Sequence, residues 1–442
     1  MRNKNKGITL VALIITIVVM LILVAVSVNV VIKSNLIGTA EKTVNKYKTA
    51  SEEEGNNGVI EINGKKYASI EDYQAKKEYI DSNIPGGTRV TENTKYVSGG
   101  KTAWIPKGFT VSGIDSERTI DSGLVIYDIP EGTTPDWTNP DSVKTKYNQF
   151  VWIPVEVKSS DTENSIASFY RSKWTANEST GGERTTGLDT DYTEPNSTND
   201  TTDKTGIADQ ITELTKSIYK YGGFYIGRYE AGSKTPRTSS SGVTEIGIKQ
   251  DMYPYIYVKW GDSMSSIGTT GAVYLSNSLY NTNEYGATSM LCTGACWDSM
   301  LDFIKDSNHS VTDSTTWGNY SNSETFEITR GAYAVYSNFT LGSFNNVGSK
   351  YSKTKDTSIL LTTGATERNC SKNIYDVAGN CVEWTTESHS SSGRVFRGRP
   401  LLQLWFSLSS RLSWRRRSDV QQQYRFFPFC TLCITVGLQA IK

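Results

Sequence analysis

The chain has 442 residues, enough for two or three domains with a sizeable core. Its 46 basic residues balance its 46 acidic residues, so no overall field favours nucleic acid or an acidic membrane surface. Only two histidines are present, His309 and His389, which leaves little material for a histidine-based metal centre or a general-base triad. A hydrophobic content of only 37% favours a loop-rich, exported surface protein over a compact cytosolic enzyme.

A basic leader at residues 1–7 precedes an almost unbroken apolar run at residues 8–32. About twenty apolar residues cross a bilayer core, so this run is long enough to span a membrane once. Positive charge on its amino side places the amino terminus in the cytoplasm and the rest of the chain outside the cell. A cleaved secretory signal has a shorter apolar core followed by small residues, and that pattern fits poorly here.

The sequence Lys-Gly-Ile-Thr-Leu at residues 6–10 resembles the leader of bacterial type IV prepilins and pseudopilins. The resemblance implies cleavage between Gly7 and Ile8 by a prepilin peptidase, methylation of the new terminus, and other pilins as partners. Ala12 stands where most type IV pilins have a glutamate that is thought to pair with a neighbour's terminus during assembly. The alternative is a plain, uncleaved signal anchor.

Residues 8–54 are predicted to form a transmembrane and stalk helix, because apolar residues recur at helical spacing after the membrane run. Residues 55–130 are predicted to be a small β-rich spacer. Within it, Asn63-Gly64 is expected to turn a hairpin, and a short charged helix is expected at residues 70–80.

The main domain is predicted at residues 145–398, with strands at residues 150–155 and 222–232. Residues 158–204 are rich in Ser, Thr, Asn and Glu, and we expect them to be an exposed, disordered insertion. Residues 310–358 have a similar composition and are expected to be loop. The segment around Trp297 is helix-like, and Trp297 is expected in the core.

One stretch, Asn373-Ile-Tyr-Asp-Val-Ala-Gly-Asn-Cys-Val-Glu-Trp-Thr385, predicts a strand, a tight turn at Gly379-Asn380 and a second strand with a buried aromatic residue. It resembles the signature of the formylglycine-generating-enzyme and sulfatase-modifying-factor superfamily. The resemblance implies an α+β, loop-rich variant of the C-type lectin fold. The strand blocks at residues 150–155 and 222–232 are similar to the opening strands of that superfamily.

In that superfamily the signature loop often holds a calcium ion through backbone carbonyls and a glutamate. The matching positions are Gly379, Asn380, Cys381 and Glu383, and oxygen ligands of this kind suit Ca²⁺. The alternative is that Glu383 hydrogen-bonds the turn as a purely structural element.

The superfamily's enzyme uses a cysteine pair that binds copper and oxidises a substrate cysteine. Here Cys430 and Cys433 form a Cys-x-x-Cys, but they lie too near the end of the chain to match that pair. We therefore predict no oxidase activity. The other four cysteines could pair as disulfides or remain unpaired as small hydrophobic residues, and the sequence does not choose between these states; they are Cys292, Cys296, Cys370 and Cys381.

Composition changes abruptly after Gly398, and residues 399–442 fit neither a strand nor a helix of the expected fold. Reading one base later turns Trp405 and Trp414 into glycine by the genetic code, given the residues that follow them. The shifted frame also permits a Gly-Arg-Tyr-Tyr sequence and a Phe-Arg ending, as the superfamily has. We interpret the tail as a frameshifted product; the alternative is a genuine basic tail that binds membrane or nucleic acid.

Together these features predict a surface-anchored, non-catalytic, pilin-like protein that displays a lectin-like binding or adhesion domain. Its partners are expected to be the membrane, through residues 8–32, and a glycan or protein ligand, with no nucleic acid. One variant is a ligand binder of the kind diversified by retroelements. The alternative function is an extracellular sulfatase-modifying oxidase.

Overall fold

The computed structural model describes residues 84–398, except residues 186–192, 197–204, 241, 243, 263–265, 281–283, 339 and 390–392, together with the backbone of five short strands outside that range. The chain divides into two compact units, with the boundary between Lys77 and Glu78. The predicted stalk helix and the predicted cleavage site at Gly7 and Ile8 lie outside the described residues. Among the residues described, no helix is long and apolar enough to cross a membrane.

The first unit contains a two-stranded hairpin. Strands β1 (Ile60–Ile62) and β2 (Lys65–Tyr67) pair antiparallel, with Ile60 opposite Tyr67. This pairing confirms the hairpin predicted on either side of Asn63-Gly64. The helix predicted at residues 70–80 lies outside the described residues.

The second unit mixes helices and strands, with mostly small sheets and few helices in the part described. Its largest sheet has six strands, and every pair of neighbours is antiparallel. In spatial order the strands are β14 (Ala287–Leu291), β26 (Val436–Ala440), β10 (Gly223–Gly227), β7 (Gln149–Pro154), β6 (Val125–Tyr127) and β5 (Thr110–Val111).

Both faces of this sheet are covered, which explains why β7 is apolar from Phe150 to Pro154. Phe150 and Trp152 point into one hydrophobic cluster, while Val151 and Ile153 point into another. Side chains of a strand alternate between the two faces of its sheet, so the sheet separates two cores. The predicted strand at residues 150–155 is confirmed.

Four α-helices are described: α1 (Pro140–Lys144), α2 (Ile207–Tyr221), α3 (Ala272–Asn277) and α4 (Gly294–Ile304). Helix α2 ends at Gly222, whose φ of 75° is the left-handed conformation that closes helices. Helix α4 begins after Thr293, whose hydroxyl accepts the N–H of Cys296 at 3.0 Å. Trp297 on α4 is fully buried, as predicted.

The remaining strands form small sheets. Three-stranded sheets contain β11 (Gly232–Ser233), β12 (Ile246–Gly247) and β13 (Tyr253–Pro254), and β16 (Ala332–Ser337), β17 (Thr340–Asn346) and β19 (Ile359–Leu361). Two-stranded sheets pair β3 (Thr94–Ser98) with β4 (Lys101–Ile105), β8 (Lys173–Thr175) with β9 (Glu183–Thr185), β15 (Phe326–Ile328) with β18 (Tyr351–Lys353), and β20 (Cys370–Ser371) with β21 (Ile374–Tyr375). A four-stranded sheet has the order β24 (Trp414–Arg417), β23 (Gly393–Gly398), β22 (Val382–His389) and β25 (Leu432–Ile434).

The expectation of a disordered insertion at residues 158–204 is wrong for residues 158–185 and 193–196. The first of these segments contains the β8–β9 hairpin, and Ile166 and Trp174 within it are buried. Trp174 donates its indole N–H to the carboxylate of Asp298 on α4 at 3.2 Å. A few apolar residues therefore anchor a segment whose average composition predicts disorder.

Two further boundaries differ from expectation. Residues 310–358, expected to be loop, contain β15 to β18. Residues 84–130, assigned to a spacer, contribute β5 and β6 to the six-stranded sheet and belong to the main unit. Residues 310–358 form strands despite their polar, turn-rich composition, whereas residues 84–130 are β-rich as expected but pair with the main unit.

The tail, which we expected to fit neither a strand nor a helix of the fold, contains strands that pair with the main unit. Strand β26 pairs with β10 and β14 inside the six-stranded sheet, and β25 pairs with β22 in parallel. The frame-slip hypothesis concerns the DNA and stays a prediction.

Candidate functional site

The signature stretch forms a strand, a tight turn and a second strand, as predicted. The turn between β21 and β22 uses left-handed backbone at Asp376, Gly379 and Asn380, with φ values of 63°, 82° and 59°. A Cβ atom on Gly379 would lie 2.3 Å from the carbonyl oxygen of Asn319, so only glycine fits there. Trp384 is buried and donates its indole N–H to the Val258 carbonyl at 3.1 Å.

The side chain of Asn380 holds this turn against three other segments. Its amide N–H group donates to the Glu230 carboxylate at 2.9 Å. Its amide oxygen accepts the Leu361 N–H at 2.9 Å and the amide of Asn319 at 3.0 Å. These hydrogen bonds stabilise the turn, because a buried amide group without partners would raise the free energy of the folded state. The Asn380 side chain is therefore committed to the fold.

Three buried carboxylates surround the turn: Glu230, Asp376 and Glu383. Burial raises the pKa of Asp376 to about 6. Burial and the neighbouring carboxylates hold the pKa values of Glu230 and Glu383 well above their usual range. Like charges in a dry interior oppose one another, so the cluster binds protons or a cation more readily than solvent-exposed carboxylates do.

The three carboxylates differ in how well their oxygens are satisfied. Glu230 accepts the Cys381 N–H at 3.1 Å as well as the Asn380 amide, and one oxygen of Asp376 accepts the Gly364 N–H at 2.7 Å. The other Asp376 oxygen, Oδ1, and Oε2 of Glu383 have no hydrogen-bond partner. Unsatisfied buried oxygens are what a proton or a cation would neutralise.

A small, partly open cavity adjoins the cluster. Its volume is about 10 Å³, close to the minimum for one water molecule. Its lining combines two of the carboxylates with aromatic and aliphatic side chains: Gly227, Tyr229, Glu230, Trp297, Met300, Ile374, Tyr375, Val377 and Glu383. A substrate of any ordinary size cannot reach these carboxylates, whereas a water molecule or a small ion fits.

The calcium ligands expected at Gly379, Asn380, Cys381 and Glu383 remain a prediction. Oε2 of Glu383 and the carbonyl oxygen of Cys381 lie 3.4 and 3.5 Å from the point where a Cβ on Gly398 would stand, so the two oxygens converge. Glu383 would supply charge to a bound Ca²⁺ and Cys381 a backbone oxygen. Asn380 cannot contribute its side chain, which is committed to the turn. In the described part of the chain, no group of three His, Cys, Asp or Glu side chains is arranged to hold a metal ion.

Sequence reasoning did not include Glu230 or Asp376 in the site. Glu230 lies 150 residues from Asn380 and meets it only in the folded chain. The available signal was the Tyr-Glu pair at residues 229–230, which lies within the predicted strand at residues 222–232.

The described cysteines are poor nucleophiles. Cys292, Cys296, Cys370 and Cys381 are free thiols rather than disulfides. Burial raises the pKa of Cys296 to about 12 and that of Cys370 to about 11, so the reactive thiolate is scarce at neutral pH. Cys430 lies outside the described residues, and only the backbone of Cys433, in β25, is described.

An open groove lies elsewhere on the same unit. It has a volume of about 500 Å³, between α3 and the segment leading into β12. Its lining mixes apolar, hydroxyl and charged side chains: Asn148, Thr244, Glu245, Ile246, Tyr274, Leu275, Ser278 and Leu279. Tyr274 is 38% exposed, and Leu275 is buried beneath it. An aromatic ring beside hydroxyl and carboxylate groups is suited to bind a polar ligand with an apolar face.

The base of the groove is held rigidly. Asn148 donates to Asp128 at 2.7 Å and to the Tyr280 hydroxyl at 3.0 Å, and its oxygen accepts the Ile248 N–H at 2.8 Å. The Tyr280 hydroxyl in turn donates to Asp128 at 2.7 Å. The groove is therefore preformed.

Comparisons of the chain with protein-family models, with curated proteins and with solved structures find no match. The prepilin and sulfatase-modifying-factor resemblances therefore rest on the residues quoted above.

Proposed function

We propose that the chain is a non-catalytic protein of the bacterial cell surface that displays a lectin-like domain for binding a glycan or another surface protein. In this proposal residues 8–32 anchor the chain in the membrane, after a prepilin-type leader or as an uncleaved anchor. The domain that begins near residue 84 is a loop-rich relative of the C-type lectin fold. The signature turn, with its buried Trp384 and Asn380, supports this fold assignment.

The proposal rests mainly on one observation: the reactive carboxylates are buried, whereas the open groove lies elsewhere on the unit. The titratable cluster at Glu230, Asp376 and Glu383 is buried, and the cavity that Glu230 and Glu383 line has space for about one water molecule. The groove beside Tyr274 is open, and its described lining has no cysteine or histidine. A buried cluster beside so small a cavity cannot admit a substrate, whereas an open, aromatic-edged groove suits recognition. We therefore place ligand binding at the groove.

The competing function is a copper-dependent oxidase that modifies a substrate cysteine. That chemistry needs reactive thiolates within reach of a substrate. The described cysteines are buried or half-buried with raised pKa values, which favours the binding function.

The binding site is tested with two matched tyrosine variants. Tyr274→Ala removes the exposed ring of the groove, and Tyr219→Ala removes an equally exposed ring on α2, with exposures of 38% and 40%. The full chain, fluorescently labelled in detergent, is screened on a glycan array and against surface-protein extracts, and each ligand found is titrated. We expect Tyr274→Ala to weaken binding about tenfold and Tyr219→Ala to leave it unchanged. Equal affinities for wild type and Tyr274→Ala would remove the groove from the proposal.

A further inference from the structure

A second buried charged cluster lies at the amino end of α4 and contains part of the long insertion. At its centre is Glu387 on β22, which is fully buried. Arg397 donates to both of its oxygens, at 2.6 and 2.8 Å, and Arg171 donates to one of them at 2.6 Å. These bonds and charges hold the pKa of Glu387 at about 2 despite its burial.

Residues 193–196 of the insertion dock onto this cluster. One oxygen of Glu194 accepts the N–H of Gly294, the first residue of α4, in a short hydrogen bond. The other oxygen accepts the Thr386 hydroxyl at 2.6 Å. Thr193 and Ser388 exchange two backbone hydrogen bonds, at 2.9 and 2.8 Å, so the segment adds a bridge to β22. Glu194 thus fastens the insertion to both β22 and α4.

Among the five charged groups described below, carboxylates outnumber guanidinium groups. Glu194, Glu387 and Asp298 carry three negative charges, while Arg171 and Arg397 carry two positive ones. Both arginines bond directly to Glu387, and Arg397 lies 4.0 Å from Asp298. Neighbouring negative charges in a dry interior raise the affinity of a carboxylate for a proton.

Glu194 is the carboxylate that takes this proton. Burial and the charge of Glu387 raise the pKa of Glu194 to about 7, against the lowering effect of the Thr386 hydroxyl, Arg171 and the Gly294 N–H. The thiols of Cys292 and Cys296 also face the group, and both stay protonated because burial raises their pKa values.

We propose that residues 193–196 are a pH-sensitive latch that is docked on β22 and α4 while Glu194 is protonated and released when its carboxylate ionises. The ordinary pKa of a glutamate is 4.5, so the docked form binds the proton more tightly than the released form. Docking is therefore strongest below about pH 4.5 and weakens as the pH rises to about 7. A difference of about 2.5 pH units lowers the docking equilibrium about 300-fold across that window.

Docking is measured by hydrogen exchange of the Thr193 and Ser388 amides in the full chain. Exchange is followed by mass spectrometry and corrected for intrinsic exchange rates. In the wild type we expect protection of both amides to fall by about 100-fold between pH 4.5 and pH 7.5, because the released form is already half ionised at pH 4.5. Glu194→Gln keeps an oxygen acceptor without a charge, and its protection should stay constant. Glu178→Gln, an exposed residue of the same insertion, should follow the wild-type curve.

Two results overturn the latch. The first is wild-type protection that does not change with pH. This result needs only the wild-type protein, so it can be obtained even if Glu194→Gln fails to fold. The second is a fall in Glu194→Gln as large as that in the wild type, because the proton would then reside on another group.

Discussion

Replacing Asp376 by asparagine should make the folded chain less sensitive to pH. The side chain is buried, and its pKa of about 6 exceeds the ordinary value of 3.8. A carboxyl group with a raised pKa in the folded state stabilises the fold fully below about pH 4, and this contribution is lost as the pH rises through 6. The difference of about 2 units corresponds to about 3 kcal/mol. Asparagine tolerates the left-handed backbone at this position, so the change removes charge with little strain.

The assay is urea unfolding of wild type and Asp376→Asn in detergent at pH 4, 5.5 and 7.5, with a metal chelator present. We expect the wild type to lose about 3 kcal/mol more than the variant over this range. Comparing the two proteins cancels the pH dependence of groups outside the cluster, such as Glu194. Stability curves that run parallel would refute the account of the buried carboxylates.

Calcium extends the same experiment. If Ca²⁺ binds at Glu383 and the Cys381 carbonyl, an excess of 100 times its dissociation constant should restore about 2.7 kcal/mol to the wild type at pH 7.5. The restored stability should be smaller in Glu383→Gln, which lacks the charged ligand. No effect of Ca²⁺ on the wild type would leave Glu383 with a structural role in the turn.

The remaining predictions concern single residues. Arg397→Met should destabilise the fold by about 3 kcal/mol in chemical unfolding, because Glu387 loses its bidentate partner in the interior; a loss below about 1 kcal/mol would show that the pair is not buried as described. Lys353→Met should lower the free energy of unfolding by on the order of 3 kcal/mol, since this buried ammonium group donates to three backbone carbonyls at 2.7 to 3.0 Å. The control Lys350→Met loses only an exposed ion pair and should lower it by less than about 1 kcal/mol. Gly7→Glu should block removal of the leader and leave a heavier protein in a prepilin-processing host; a mass that matches the processed wild type would contradict the prepilin assignment.

Local patterns predicted the parts of the fold that depend on local sequence. The apolar run at residues 150–155 gave a correct strand because its neighbours cover both faces of the sheet. The Gly379-Asn380 turn was predictable because left-handed backbone favours these two residue types. Helix α2 was missed, although Ile207, Leu214 and Ile218 recur at helical spacing along one buried face.

Contacts between distant residues account for most of what sequence reasoning did not find. Trp174 is ordered by Asp298, 124 residues away, so composition alone misassigned the insertion as disordered. Glu230 joins the site through Asn380, 150 residues away, and no spacing rule connects them. The calcium prediction included Glu383 but not the two neighbouring carboxylates, Glu230 and Asp376, which together with burial raise its pKa. Side-chain pairing across the fold is what a single sequence leaves undetermined.

The central claim is that the protein binds without catalysing a reaction. In the most direct measurement, the purified full chain is incubated with copper, oxygen and a cysteine-containing peptide. If genomic sequencing finds the frame slip, a protein with the restored reading frame is tested in the same way. Peptide mass then reports any conversion of cysteine to formylglycine. The account predicts an unchanged peptide with both proteins, while ligand binding at the Tyr274 groove persists. Repeated turnover by either protein would contradict it and assign the chain to the oxidase class.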